Sequence, residues 1–242
     1  MGTGAMGGYL GARLGTAGAG VTFIARGVHL AAIRTAGLRV SSPLGDVHVT
    51  PALATDDPAA VGPVDVVLLG VKLYDIEVTV KALGPLLGAD TAIVCLQNGI
   101  DAPTIVARLH GEDHAVGSVV MINAELVPMG ALSAMTRVPL QRIREEADTW
   151  RLAEQGMREV VAVANAEGVG LDAADIERTL AFVKGMSATW KGSLTFDLDQ
   201  GRRLEVDWLS GAVCRRGEAA GIDTPFHRVA LGVLKPHAAG YL

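Results

Sequence analysis

The first half of the chain alternates short apolar runs with segments of helical pattern. Near-continuous apolar runs are typical of strands that are buried on both faces of a parallel sheet. Such strands are predicted over residues 21–25, 64–71, 91–96 and 116–122. Helices are predicted over residues 9–14, 28–36, 75–87 and 103–109, and the third is expected to be broken or bent at Gly84-Pro85. Parallel strands linked by helices of this size predict an α/β fold with a doubly wound sheet.

The second half is dominated by helical periodicity. Helices are predicted over residues 152–167, 172–183 and 225–234. An apolar face supports the second of these: Ile176, Leu180 and Val183. The same spacing predicts a further helix, which would carry Glu205: Leu204, Trp208 and Ala212. We therefore predict two domains, a Rossmann-type domain over residues 1–126 and an all-helical domain over residues 127–242.

A glycine-rich turn opens the chain, Gly2-Thr3-Gly4-Ala5-Met6-Gly7. This G-x-G-x-x-G spacing lets backbone amides and a helix N-terminus approach a pyrophosphate without obstruction by Cβ atoms. The alternative is a tight turn that holds no ligand. A Rossmann unit normally begins with a buried strand that leads into the first glycine. The printed sequence starts one residue before Gly2, so we expect the sheet to lack its first strand.

Arg26 indicates which dinucleotide would bind. Folds that prefer NAD usually place an acidic residue about 20 residues beyond the glycines, where it holds the ribose 2′-hydroxyl. Here the end of the 21–25 run is followed by Arg26, whose guanidinium suits a 2′-phosphate. The sequence therefore predicts NADP(H) as the cofactor.

Composition narrows the class of protein. A net charge of −5 and a pI near 5.7 argue against general binding to nucleic acid or to membrane surfaces. Cys95 and Cys214 form no CxxC pair and have no metal-ligand spacing, so we expect buried thiols and no metal site. No apolar stretch reaches the roughly 18 residues of a membrane span. We expect a cytoplasmic protein.

Polar residues follow two of the predicted strands, where ligands bind in open α/β sheets. Lys72 ends the 64–71 run, and Gln97-Asn98-Gly99 ends the 91–96 run. Asn98 could orient a nicotinamide, a ribose or a substrate carbonyl. The alternatives are a solvated lysine and an Asn-Gly turn. Glu205 lies near apolar residues and needs a partner such as Arg202, a bound hydroxyl or a cofactor group, unless it is a solvated helix start.

Taken together, these motifs resemble the ketopantoate reductase (2-dehydropantoate 2-reductase) family. The resemblance rests on the glycine turn, Val71-Lys72, Gln97-Asn98-Gly99, the run from Ser193 to Asp207, and the segments 209–213 and 221–225. It spans nearly the whole chain. It implies NADPH-dependent reduction of a small 2-keto acid, ketopantoate, to pantoate in pantothenate biosynthesis, which leads to coenzyme A. It also implies a helical domain for substrate binding and dimerisation, and a possible homodimer.

The resemblance assigns roles to particular residues. Asn98 and Ser193 would bind the substrate, and Glu205 would approach the nicotinamide ribose or the substrate hydroxyl. The implied cofactor-binding residues are Gly2, Thr3, Gly4, Ala5, Met6, Gly7, Arg26, Lys72, Asn98 and Glu205.

One part of the family pattern is missing. The family's proton donor is a lysine in a segment like W-x-K-x-x-x-N, on the first helix of the second domain. Residues 117–124 resemble the last Rossmann strand and residues 129–137 the stretch just after that lysine, and the two nearly abut. Gly130 stands where a substrate asparagine is expected, and neither Lys184 nor Lys191 aligns with the lysine. We therefore expect impaired catalysis. The alternatives are a non-catalytic NADP-binding pseudoenzyme and a related Rossmann dehydrogenase acting on another 2-keto acid.

Overall fold

A computed structural model of the chain describes residues 1–118 and 127–241. The chain divides into two compact units, Met1–Ile122 and Asn123–Leu242. The predicted boundary between residues 126 and 127 falls at the edge of the described residues, so it stays a prediction. In the described ranges, no helix is long and apolar enough to cross a membrane.

The first unit contains both strands and helices. Its strands are β1 (Thr22–Ile24), β2 (Leu38–Val40), β3 (Val47–Val49), β4 (Leu53–Thr55), β5 (Val64–Leu69), β6 (Leu87–Cys95) and β7 (Ala115–Gly117). Its α-helices are α1 (Ala5–Thr16), α2 (Gly27–Ala36), α3 (Ile76–Lys81) and α4 (Asp101–His110). Strands β5, β6 and β7 form a parallel sheet with β6 in the centre, and β1 pairs with β4, also in parallel. The predicted α/β class with a parallel sheet is confirmed.

The amino-terminal residues connect these two parallel sheets. The amides of Gly2 and Thr3 donate to the Ile24 carbonyl at the end of β1, at 3.1 and 3.2 Å. On the other side, the Gly70 amide, just after β5, donates to the Met1 carbonyl at 2.9 Å. The segment that begins the glycine turn therefore lies between β1 and β5.

Three short strands of the first unit were not predicted. Strands β2 and β3 form an antiparallel pair, with Leu38 opposite Val49 and Val40 opposite Val47, and β4 pairs with β1. Each has three residues, too few to establish a period of two in the sequence. Leu38 joins the core cluster beneath α1 and α2, which includes Phe23. Long-range packing stabilises these strands.

Several predicted bounds are wrong. Helix α1 begins at Ala5, four residues earlier than predicted. The helix predicted over 75–87 ends at Lys81, and a 3₁₀ turn over Gly84–Leu86 leads into β6 at Leu87. Proline lacks the amide that a helix interior requires, which explains the break. Strand β5 is not buried on both faces, because Val66 is 50% exposed. Part of the strand predicted over 116–122 lies outside the described residues.

The described part of the second unit is helical, which confirms the predicted helical C-terminal region. Its helices are α5 (Val127–Thr136), α6 (Leu140–Glu145), α7 (Ala147–Ala166), α8 (Ala173–Gly185), α9 (Ser193–Asp199), α10 (Ser210–Ala220) and α11 (Pro225–Leu234). Asp172 and Asp175 form a capping box that begins α8. Leu132, Met157 and Phe226 belong to the largest described core cluster of this unit.

The helix predicted to carry Glu205 does not exist in that form. Helix α10 begins only at Ser210, and Leu209 has φ −100° and ψ −97°, outside the helical range. Leu204, Val206 and Leu209 are all buried in one cluster. Residues two apart point to different faces of a helix, so a single helix could not bury both Leu204 and Val206 in this way. Glu205 therefore lies in irregular chain, where it is 3% exposed rather than solvated.

Both cysteines are buried free thiols, as predicted. Burial raises the pKa of the Cys95 thiol to about 11, so Cys95 is neutral at physiological pH.

A buried polar group stabilises the start of α11. The Glu159 carboxylate accepts hydrogen bonds from the amides of Phe226 and His227, at 2.8 and 3.1 Å. The His227 ring is fully buried, with Nε2 3.2 Å from the Gly156 carbonyl and Nδ1 3.3 Å from the Ser210 hydroxyl. A carbonyl only accepts, so Nε2 donates to Gly156; in the neutral ring, which burial favours, Nδ1 then accepts from the Ser210 hydroxyl. Burial lowers the pKa of His227, although the Gly156 carbonyl and Glu159 oppose the shift.

The second unit should therefore lose stability in mild acid. The unfolded His227 ring binds a proton more readily than the folded one. The contribution of the neutral His227 ring to the free energy of unfolding is complete above the ordinary pKa of 6.5. This contribution is lost as the pH falls below that value. The effect cannot exceed about 1.4 kcal/mol per pH unit. All three tryptophans lie in this unit, so urea unfolding followed by tryptophan fluorescence at pH 5 to 8 measures it.

The variant His227→Gln should flatten this pH dependence, whereas His237→Gln, at an exposed position, should retain it. Equal pH dependence in the two variants would contradict the assignment to His227.

Candidate functional site

Close backbone packing defines the glycine turn. Gly2 has φ +83°, a conformation that residues with a Cβ rarely adopt, and a Cβ there would lie 2.8 Å from the Val71 amide nitrogen. A Cβ on Gly7 would collide with the Gly2 carbonyl oxygen, and one on Gly70 would lie 3.0 Å from the same oxygen. Without side chains at Gly2, Gly7 and Gly70, the first turn of α1 can pack against the chain that leaves β5.

Gly4 has the opposite environment. A Cβ at Gly4 would meet no atom within 4 Å, so this part of the turn borders open space. Gly4 is also the N-cap of α1, which has no side-chain cap and no acidic residue in its first turn. Uncapped amides at a helix N-terminus attract anions. Open space beside uncapped amides fits a dinucleotide pyrophosphate, with Gly4, Ala5 and Met6 as the residues that would hold it.

Arg26 lies next to this turn. It lies two residues beyond the end of β1 and is the N-cap of α2, whose first turn also lacks acidic residues. Ile24, two residues earlier, accepts the amides of Gly2 and Thr3, so Arg26 and the glycine turn occupy neighbouring positions. The Arg26 side chain is exposed, and across residues 1–118 and 127–241 it has no ion-pair partner. An unneutralised guanidinium here suits a 2′-phosphate.

His29 connects α2 to the glycine turn and was not predicted from the sequence. Its Nε2 lies 2.6 Å from the Thr3 carbonyl oxygen, so the ring nitrogen donates to it. The sequence offered no signal for this contact, because the two residues belong to different elements.

Lys72 and Asn98 lie at the carboxyl ends of neighbouring strands, as predicted. Lys72 follows β5 and precedes a 3₁₀ turn over Leu73–Asp75, and Asn98 follows β6; both are half-buried. Between them, the Gln97 side-chain amide donates to the carbonyls of Leu69 and Val71, at 2.8 and 3.2 Å. These hydrogen bonds therefore connect the ends of β5 and β6 beside Gly70.

Ser193 and Glu205 belong to the second unit. Ser193 is the first residue of α9 and is half-buried. The start of α9 is anchored to α5, because the Ser133 hydroxyl lies 2.8 Å from that of Thr195 and accepts the Gly192 amide at 3.3 Å. Both candidate residues are adjacent to one core cluster, which Leu194 and Leu204 enter. Glu205 is buried there.

Neither lysine near Ser193 has the surroundings of a proton donor poised in a cleft. The Lys191 ammonium lies 3.9 Å from the Asp199 carboxylate, which also pairs with Arg137. The Lys184 ammonium lies 5.4 Å from the centre of the Trp150 ring, on an exposed side chain. Within the part of the chain that the structure describes, no group of His, Cys, Asp or Glu residues is arranged to hold a metal ion.

A parallel sheet with an uncapped helix N-terminus at a glycine turn, followed by a helical unit, defines a two-domain protein of the dinucleotide-binding class. The family description "Ketopantoate reductase PanE/ApbA" matches residues 1–144, and "Ketopantoate reductase PanE/ApbA C terminal" matches residues 119–238. The chain belongs to the ketopantoate reductase PanE/ApbA family.

Individual relatives agree with the family. The chain is 27% identical to the 2-dehydropantoate 2-reductase of Archaeoglobus fulgidus over 300 residues, covering 99% of this chain and 97% of the relative. It is 28% identical to that of Caulobacter vibrioides, covering 83% and 87%. The PanE/ApbA family ketopantoate reductase of Ralstonia eutropha JMP134 has a TM-score of 0.88 at 28% identity, covering 98% and 97%. The first of these alignments is longer than the 242-residue chain, so that relative has residues with no counterpart here.

Two glycine substitutions should separate packing from ligand binding. Gly7→Ala places a Cβ against the Gly2 carbonyl, so we expect it to destabilise the first unit by about 3 kcal/mol or more. Gly4→Ala fills open space, so it should change stability by only about 0.5 kcal/mol while weakening dinucleotide binding. Thermal unfolding and titration with NADPH measure the two effects. Equal losses of stability would contradict the geometry.

Proposed function

We propose that this chain binds NADPH and reduces 2-dehydropantoate, a 2-keto acid, to the corresponding 2-hydroxy acid. The observation that carries the proposal is the glycine turn with Arg26 beside it at the end of β1. The names of the relatives supply the substrate, because both curated proteins described above are 2-dehydropantoate 2-reductases. We keep NADPH rather than NADH because the exposed group at this position is cationic.

The proposal gives each residue a physical task. The amides at the start of α1 bind the pyrophosphate, and the absence of a side chain at Gly4 leaves room for it. Arg26 pairs with the 2′-phosphate. Lys72 and Asn98 hold the cofactor along the ends of β5 and β6, and Asn98 also orients the substrate. When bound, the cofactor supplies a hydride.

Two further residues have roles in this proposal. Ser193 binds the substrate at the start of α9, and Glu205 accepts a hydrogen bond from a hydroxyl of the nicotinamide ribose or of the substrate. A homodimer remains a prediction; one fold neighbour is described as a dimeric ketopantoate reductase, from Staphylococcus aureus, with a TM-score of 0.61 at 18% identity.

A second candidate is an NADP-binding protein with little turnover. It is favoured by the contacts of Lys184 with the Trp150 ring and of Lys191 with the Asp199 carboxylate, because neither lysine is placed as a proton donor. A third, reduction of another 2-keto acid, has only the fold in its favour. A D-mandelate dehydrogenase shares that fold with a TM-score of 0.83 at 18% identity. Substrate panels of branched and aromatic 2-keto acids would distinguish it.

Arg26→Ala should weaken NADPH binding by about ten- to a hundredfold, because a charge-assisted contact to the 2′-phosphate is lost. Binding of NADH, which has no 2′-phosphate, should be unchanged. Arg39→Ala is the matched control, because Arg39 is exposed on β2, away from the end of β1. Titration of both cofactors with the three proteins measures the effect. Equal weakening of NADPH and NADH by Arg26→Ala would contradict the assigned role.

Turnover should be slow even where binding is normal. General acid catalysis contributes about 10²- to 10⁴-fold, and we expect this chain to lack that contribution. We therefore expect NADPH oxidation with 2-dehydropantoate to be slower than in the Archaeoglobus fulgidus relative by a factor in that range. Inserting the relative's lysine-bearing segment near residue 127 should restore activity. A rate equal to the relative's in the unaltered chain would contradict the inferred impairment.

A further inference from the structure

The orientation of the Gln97 carboxamide is fixed by its surroundings. Its Nε2 donates to two carbonyl oxygens, those of Leu69 and Val71, at 2.8 and 3.2 Å. Carbonyl oxygens only accept, so a flipped amide would place three oxygens together. The side-chain nitrogen must therefore face the end of β5, and the side-chain oxygen must face away from it.

The Gln97 side-chain oxygen accepts no hydrogen bond from the residues that the structure describes. Gln97 Oε1 is buried, yet no donor lies within hydrogen-bond distance among residues 1–118 and 127–241. Native proteins rarely leave a buried acceptor unpaired, because the lost hydration is not replaced. The same condition holds for Arg13 Nε and Thr224 Oγ1, but neither is at the carboxyl edge of the parallel sheet.

The position of Gln97 indicates which ligand could supply the donor. The glycine turn lies between β1 and β5. Arg26 follows β1 on one side, and Gln97 is bonded to the end of β5 on the other. A dinucleotide with its pyrophosphate at the turn and its 2′-phosphate at Arg26 extends its nicotinamide half toward β5 and β6.

We propose that Gln97 Oε1 accepts a hydrogen bond from an N–H or O–H group of the nicotinamide half of the bound cofactor, an inference that rests on the proposed function. Gln97 then has two tasks: its nitrogen fastens β5 to β6, and its oxygen positions the half of the cofactor that reacts. Glutamate could not replace it, because a carboxylate oxygen would face the Leu69 and Val71 carbonyls. The carboxamide of the nicotinamide and the hydroxyls of its ribose are the possible donors.

The first test compares a whole cofactor with its adenosine half. Gln97→Met keeps the length of the side chain and removes both polar atoms. We expect it to weaken NADPH binding about five- to tenfold, as for one buried hydrogen bond. Binding of adenosine 2′,5′-bisphosphate, which has no nicotinamide half, should not change. Gln141→Met, an exposed exchange in the second unit, is the matched control and should change neither.

The second test separates the two possible donors. An NADPH analogue whose carboxamide is replaced by an acetyl group has no N–H at that position. If the carboxamide is the donor, wild-type protein binds the analogue about five- to tenfold more weakly than NADPH, and Gln97→Met abolishes this difference. If a ribose hydroxyl is the donor, wild-type protein binds both equally, and Gln97→Met weakens both.

Two results would overturn the inference. Unchanged NADPH binding in Gln97→Met would show that the oxygen receives nothing from the cofactor. An equal loss for the bisphosphate would assign Gln97 a purely structural task. Failure of wild-type protein to bind either NADPH or the bisphosphate would instead defeat the proposed function, and with it this inference.

Discussion

The contact among Gly2, Gly7 and Gly70 is the constraint on which the rest of the site depends. The three backbones approach so closely that a Cβ at Gly7 or Gly70 would press on the Gly2 carbonyl oxygen. This contact holds the N-terminus of α1 at the ends of β1 and β5. It therefore decides where uncapped amides meet open space at Gly4. Arg26 and Gln97 acquire their roles from this arrangement, because they lie on opposite sides of the turn.

Sequence periodicity predicted that the longer elements exist, although α7 and β6 begin five and four residues before their predicted starts, and it missed several shorter elements. Helix α11 has the predicted bounds of 225–234, because Pro225 fixes its first turn and the apolar spacing is regular. The β2–β3 pair was not predicted, because its strands have three residues each. The region around Glu205 was wrongly assigned to a helix. Its buried residues pack in a core with residues of α9, and the spacing of apolar residues along the chain does not predict that packing.

Some features of the candidate site were predictable from the sequence, and others were not. Local motifs indicated the glycine turn through its G-x-G-x-x-G spacing, and Arg26 and Asn98 because each follows a predicted strand. The contacts between residues far apart in the sequence could not be predicted. The Gln97 bonds to Leu69 and Val71 span 28 and 26 residues, and the His29 bond to Thr3 also spans 26. Such pairs form only once the strands are side by side, so they have no signature in a single sequence.

A crystal structure of the protein with bound NADP⁺ tests the central claim most directly. We predict diphosphate oxygens about 3 Å from the backbone nitrogens of Ala5 or Met6, and the 2′-phosphate paired with the Arg26 guanidinium. A cofactor bound with its diphosphate away from the start of α1, or with its adenosine on the β6 side of the turn, would contradict the account.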